Sequence, residues 1–338
     1  MWLHRYAALV STATVFLLVA GGLVTSTGSG LAVPDWPTTY GWSMFTFPLR
    51  NMVGGIFYEH SHRLIASAVG FLTVVLAIWV WIEERRRWLR RLALVALGAV
   101  ALQGLLGGIT VLLFLPDAIS IAHAGLAQIF FCLTVSLALF TSAGWLAAPR
   151  EGWVDDRRLR VAATVTTALV YVQILIGATV RHTGAGLAIS DFPLVFGGLL
   201  PPDWTTLIGW HYAHRAGAAV VTLAVLATVG HVLFHHRGRL ELTRPAVALL
   251  VLVVGQIALG GFIIWSERDV AVNTAHVITG ALVLATALVL TLRSYRPLFR
   301  SHVPESQRQG MPVAAAFAEG FGEPRRSSEE RSRAGVRA

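Results

Sequence analysis

The sequence predicts an all-α integral membrane protein: eight transmembrane helices, arranged as two tandem pseudo-symmetric four-helix bundles, with both termini cytoplasmic. Composition is the first reason. Over 338 residues the chain is 55% hydrophobic and 13% charged, with a mean hydropathy of +0.65, far from the balance of a soluble domain. The second reason is that apolar runs of about 20 residues, the length that carries a helix across a bilayer core, recur near 6–27, 63–82, 92–115, 119–141, 160–180, 207–233, 245–265 and 271–292. The third is that the second half of the chain rewrites the first.

The repeat is legible at three places. TSTGSGLAVPDWP at 25–37 returns as RHTGAGLAISDFP at 181–193, and YEHSHRLIASAVG at 58–70 as WHYAHRAGAAVVT at 210–222. LQGLLGGITVLLFLPDAISIAHA at 102–124 returns as GQIALGGFIIWSERDVAVNTAHV at 255–277, with Gln103 over Gln256, Gly107 over Gly260 and His123 over His276. Each half is a four-span unit. An even number of spans returns the chain to its starting side, so the halves share an orientation and are related by an axis along the membrane normal.

Taken in order, the first run follows MWLHR and resembles a signal peptide. No small-x-small site ends it, and its counterpart at 160–180 is internal, so it reads as a retained span. The glycine-rich segment after it lacks the GK[ST] of a phosphate loop. It reads instead as an outer loop with tight turns, closed by Asp35-Trp36-Pro37 and, in the repeat, Asp191-Phe192-Pro193. The lone cysteine, Cys132, falls inside the fourth run, so the chain has no internal disulfide. Residues 143–159 read as a cytoplasmic linker between an N-terminal bundle, 1–142, and a C-terminal bundle, 160–295. The tail, 296–338, ends PRRSSEERSRAGVRA and reads as disordered and cytoplasmic.

Orientation comes from arginine. The chain has no lysine, and every arginine except Arg50, Arg63, Arg181, Arg215 and Arg268 lies in the N-terminal stub, the 83–91, 143–160 and 235–244 loops, or the tail. The positive-inside rule puts those segments in the cytoplasm and the glycine-rich loops outside. The net charge of +9 is thus a topology signal with some attraction to anionic membrane lipid, and no nucleic-acid partner is expected. Lysine-free, arginine-rich usage points to a GC-rich bacterial source, hence a multi-pass protein of the plasma membrane.

Polar residues inside spans mark functional sites by default. His62 and His214 open the second spans of their halves, and His123 and His276 lie just inside the fourth, so all four sit at similar depth near the outer face. His4, His231, His235, His236 and His302 lie at cytoplasmic ends or in the tail and read as interfacial. A single histidine at a membrane interface is usually a hydrogen-bonded structural residue. Four, paired by a repeat on facing helices, suit two axial imidazoles on haem iron. A zinc site would want more ligands, and no cysteine or carboxylate repeats with them. Arg63 and Arg215, each directly after a histidine, have two readings: partners for haem propionates, or side chains snorkelling to the interface. Glu59 aligns with His211, so only the first half carries a carboxylate there. On a helix it would share a face with His62, which implies unequal jobs for the halves; the alternative is a carboxylate hydrogen-bonded at an exposed span end.

EHSHR, HYAHR, AHAG, TAHV and TGSGLAVPDWP together resemble the haem A synthase family, over about residues 5 to 295. The resemblance implies an oxidoreductase that converts a porphyrin methyl of haem O to the formyl of haem A, for cytochrome c oxidase assembly. It implies haem b on His214 and His276, substrate haem O between His62 and His123, and the family's essential glutamate at Glu59. It also implies a haem O synthase as the supplier of substrate, and an electron donor it does not identify. The cysteine pair that some bacterial members carry in their outer loops is missing from PDWPTTYG and SDFPLVFG. Two other classes share the paired histidines: a di-haem b-type cytochrome for quinol electron transfer, and a haem transporter or chaperone. Neither explains a glutamate confined to one half.

Overall fold

The computed structural model describes residues 1–147 and 155–301. Met1–Arg296 forms one compact unit. Residues 148–154 of the expected linker and 302–338 of the expected tail lie outside the described residues. The elements in chain order are α1 (Trp2–Ser26), α2 (Gly55–Glu83), α3 (Arg87–Leu112), α4 (Asp117–Thr141), a short α5 (Ala143–Leu146), α6 (Arg157–His182), α7 (Thr206–His235), α8 (Leu240–Trp265) and α9 (Val270–Ser301). All but α5 are long and apolar enough to cross a membrane. Each expected span falls on one of these eight helices, and the chain is a multi-pass membrane protein. Hydropathy misplaced two boundaries: α2 starts at Gly55 rather than near 63, so Glu59 and His62 are both helical, and α9 runs on to Ser301 rather than ending near 292.

Local chemistry sets the helix ends. At the end of α1 the Thr27 hydroxyl donates back to the Leu23 carbonyl at 2.7 Å, and Gly28 turns away at φ +67. α3 stops where Phe114 and Leu115 take left-handed φ values of 58 and 59, with the Leu115 N–H on the Thr110 carbonyl at 2.7 Å. Pro116 then caps α4. The Asp156 carboxylate caps α6 by accepting the Leu159 N–H at 3.0 Å. Pro245 sits inside α8 and has no N–H to give the Glu241 carbonyl; Arg293 Nη1 of α9 donates there instead, at 2.6 Å.

Packing separates a dry end from a polar one. Leu3, Ala7 and Val10 of α1, Leu76 and Val80 of α2, Leu89 and Ala96 of α3, and Leu137 and Phe140 of α4 share one core. A second joins Leu159, Val225, Leu249 and Leu284 with their neighbours on α6, α7, α8 and α9. A smaller cluster of Phe131, Ala281 and Ala285, with Val15 and Leu18 against it, connects α1, α4 and α9. Phe16, Leu223 and Val251 are exposed, as lipid-facing side chains are in a spanning helix. Toward the glycine-rich loops the joint becomes polar: Arg181 Nη2 donates to the Gly22 carbonyl at 2.8 Å and to Ser26 Oγ at 2.7 Å, and Thr274 Oγ1 to Ser26 Oγ at 3.1 Å.

Candidate functional site

The two glycine-rich segments lead into two loops of one design. Asp35 accepts the N–H groups of Tyr40 at 2.8 Å and Gly41 at 2.9 Å together with the Thr38 hydroxyl. Asp191 accepts those of Phe196 at 2.8 Å and Gly197 at 2.9 Å. Burial works against the Asp35 charge, but these donors outweigh it and hold the carboxyl below its ordinary range. Gly41 and Gly197, at φ +75 and +78, make the tight turns possible. The aromatic residue after each aspartate then lies on a glycine of the next hairpin. A Cβ on Gly108 would come within 2.5 Å of the Trp36 ring, and one on Gly261 within 2.9 Å of the Phe192 ring.

Gly108→Ala therefore forces the indole to move by about 1 Å to regain ordinary contact, an overpacking cost of about 1–3 kcal/mol. Thermal unfolding in detergent should show a clear loss. Gly104→Ala, one turn away with nothing within 4 Å of its added Cβ, should be neutral or slightly stabilising. Equal behaviour of the two variants would remove the Trp36 contact from the loop's support.

The preceding glycine in each GG pair serves a histidine. A Cβ on Gly107 would lie 3.1 Å from His123 Cε1, and one on Gly260 3.4 Å from His276 Cε1. Gly21 and Gly177 do the same for His62 and His214, at 3.1 and 2.9 Å. Each of the four imidazoles thus lies over a glycine of a neighbouring helix; at Gly21, Gly107 and Gly177 the approach is tighter than a Cβ would ordinarily allow, and at Gly260 a Cβ would make ordinary contact. Glutamines hold three of them. Gln103 Nε2 donates to the His123 carbonyl at 3.0 Å, with the His123 ring nitrogen Nε2 at 3.3 Å. Gln256 Nε2 is 3.2 Å from His276 Nε2. Gln173 Nε2 donates to the His214 carbonyl at 2.7 Å and lies 3.0 Å from its Nδ1. In the register of the repeat, Leu17 stands where the second half has Gln173, so His62 has no such amide. The His214 and His276 rings lie 6.3 Å apart, centre to centre. Nδ1 of His62, His123 and His276 is buried with no hydrogen-bond partner.

Glu59 and Arg63 meet each other. Arg63 Nη2 donates to Glu59 Oε1 at 2.6 Å, and Glu59 Oε2 accepts the Val33 N–H at 2.8 Å. The remaining Arg63 bonds run to the carbonyls of Asp35 (2.8 Å), Thr38 (3.0 Å) and Val33 (2.8 Å). Both side chains are nearly buried, and Glu59 is 3% exposed. In the second half His211 takes the place of Glu59: its Nδ1 accepts the Ile189 N–H at 3.2 Å, and Arg215 lies beside it, bonded to the carbonyls of Leu194 (2.9 Å) and Ile189 (3.1 Å). Each arginine thus ties its helix to the loop that follows the glycine-rich segment. In the first half a carboxylate completes that clamp, and in the second half an imidazole does.

The four histidines, two arginines and Glu59 all lie toward the loop end, as the sequence places them. The glutamines are an addition; Gln103 and Gln256 were visible as a repeated pair, whereas Gln173 has no counterpart to mark it. His60 is also new to the picture: it is buried against Phe47, with Nδ1 3.1 Å from Thr39 Oγ1, and steadies the first loop from behind.

Known proteins can be set beside this arrangement. Residues 4–288 match the profile of the family described as cytochrome oxidase assembly protein. A heme A synthase of Shouchella clausii is 31% identical over 260 residues, covering 76% of this chain and 85% of its own. One of Alkalihalophilus pseudofirmus is 28% identical over 300 residues, covering 87% and 98%. One of Symbiobacterium thermophilum is 31% identical over 267 residues, covering 76% and 84%. The match takes in seven of the eight long helices almost entirely, the first part of α9 and every histidine at the loop end, and the chain belongs to the cytochrome oxidase assembly protein family.

Proposed function

We propose that this protein is a haem A synthase of the bacterial plasma membrane, which oxidises a porphyrin methyl of haem O to the formyl group of haem A. The observation that carries the reading is the set of four imidazoles, each over a glycine, at one end of a membrane-embedded fold whose relatives are named heme A synthase. We read the chain as two tandem bundles, 1–142 and 160–295, related by an axis along the membrane normal. A linker at 143–159 and a tail at 296–338 lie with both termini in the cytoplasm, the side the arginines mark.

The residues present suit haem. His214 and His276, whose rings lie 6.3 Å apart centre to centre, are close enough that both could ligate one haem iron if haem binds there. The buried, unpartnered ring nitrogens are groups that native structures pair with something. We assign a resident haem b to His214 and His276, and substrate haem O to His62 and His123. Gln173 is where the two halves differ: it holds His214 by a side-chain amide, and His62 has Leu17 in that register instead. Haem b in that place supplies one-electron transfer.

The chain's own part is position and charge. His62 and His123 orient the substrate ring, and the loop clamped by Arg63 closes over it. Arg63 and Arg215 bring positive charge to the outer edge of each site, where propionates would lie. Glu59, fixed by Arg63 and the Val33 N–H, offers a stationary carboxylate to stabilise positive charge developing at the oxidised carbon or to take up its proton. A haem O synthase is the upstream supplier, and cytochrome c oxidase assembly the destination.

The test is haem analysis after co-expression with a haem O synthase in a host that makes no haem A. Haem A or its alcohol precursor should be extracted alongside haem b. Two haem b per chain with no oxidised product would overturn the reading in favour of an electron-transfer cytochrome.

A further inference from the structure

A second cluster of ligand-type side chains lies at the opposite end of the molecule, where the sequence suggested only interfacial histidines. His231, in the last turns of α7, and His236, just past its end, both direct Nε2 at Asp156 Oδ2, at 2.7 and 2.9 Å. The three ligand atoms lie within 4.8 Å of one another. The shell behind them is ordered. Asp156 Oδ1 is held by the Leu159 N–H at 3.0 Å, and the His235 ring stacks on His231 at 4.4 Å while bonding the His231 carbonyl at 3.1 Å. His236 is 9% exposed, and the other two are partly buried.

From this geometry we infer that Asp156, His231 and His236 form a binding site for one divalent zinc-class cation, joining the start of α6 to the end of α7. Two imidazoles and one carboxylate are a ligand set that zinc takes with a fourth position left for water. Bonds of about 2 Å in a tetrahedral arrangement require ligand atoms about 3.3 Å apart. The two nitrogens need withdraw from Oδ2 by only about half an ångström, a rotamer adjustment at helix ends. In exchange the cation replaces the two Nε2 protons that bridge these atoms, and each proton moves to Nδ1 of its ring. The Leu159 N–H and the stacked His235 supply the orienting contacts that metal ligands generally have. The site is separate from the four histidines at the loop end, and nothing in it depends on haem.

The experiment uses the full chain, purified in detergent without a polyhistidine tag, treated with chelator and then dialysed to equilibrium against Zn2+. About one zinc per chain should bind, and the zinc X-ray absorption edge should report nitrogen and oxygen ligands at about 2.0–2.2 Å with no sulfur. Asp156→Asn, which keeps a capping oxygen, and the double variant His231→Ala/His236→Ala should each lower bound zinc at least tenfold while remaining monodisperse. A wild-type chain that binds no stoichiometric zinc overturns the site, as does binding that persists in both variants; the cluster is then only a hydrogen-bonded cap on α6.

Discussion

Glu59→Ala is expected to abolish formyl production while leaving haem b in place. The expected fall is roughly 100-fold or more, the range for loss of a positioned acid, base or charge, read as haem A plus its alcohol precursor per haem b. Glu59 also closes a clamp, and its removal strands the Arg63 guanidinium and the Val33 N–H without their carboxylate. Breaking a buried ion pair from one side costs about 3–5 kcal/mol, so alanine alone mixes chemistry with loop support. Glu59→Gln separates them, since its amide oxygen can still accept one of the two bonds while the charge is gone. An inactive Glu59→Gln variant with unchanged thermal stability would place the effect in the charge. Full activity in that variant would make Glu59 a loop fastener and remove it from the oxidation.

His214→Ala should reduce haem b from about one per chain to background, and His276→Ala should do the same, since either change would leave a haem iron bound there with one of its two proposed imidazoles. The matching changes at His62 and His123 should leave haem b content near wild type and instead lower substrate haem retention and product. This contrast tests the division of labour between the halves. Equal haem loss from all four variants would mean that the two sites hold the same haem on the same terms, as in a di-haem cytochrome.

Much of this arrangement was legible before any coordinates, and the reason lies in the bilayer. A solvent that cannot hydrogen-bond the backbone forces each spanning segment to be a helix of nearly fixed length, so hydropathy located all eight long helices. It missed the first two turns of α2, which carry Glu59, His60 and His62 and are too polar to register as a span, and the last turns of α9, where Arg293 and Arg296 interrupt the apolar run. The duplication did the rest. Two copies of one pattern showed which histidines are paired, and the mismatch of Glu59 with His211 showed where the copies part.

Partners are another matter, because a hydrogen bond between side chains far apart in sequence leaves no periodic trace. Composition and repeat made Arg63 a cation near an outer-face histidine; only the packed chain turns its guanidinium onto Glu59 and three loop carbonyls. Trp36 read as the end of a turn and proves to be a ring wedged on Gly108. Gln173 stood in an apolar run with Leu17 as its counterpart and proves to hold His214. His231, His236 and Asp156 lie on either side of two spanning helices and meet only when α6 and α7 pack side by side. The spans, and the histidines that recur in both halves, follow from local chemistry and its repetition. Which polar atoms face each other follows from the close packing of helices, where a missing Cβ or a single buried donor settles what can touch.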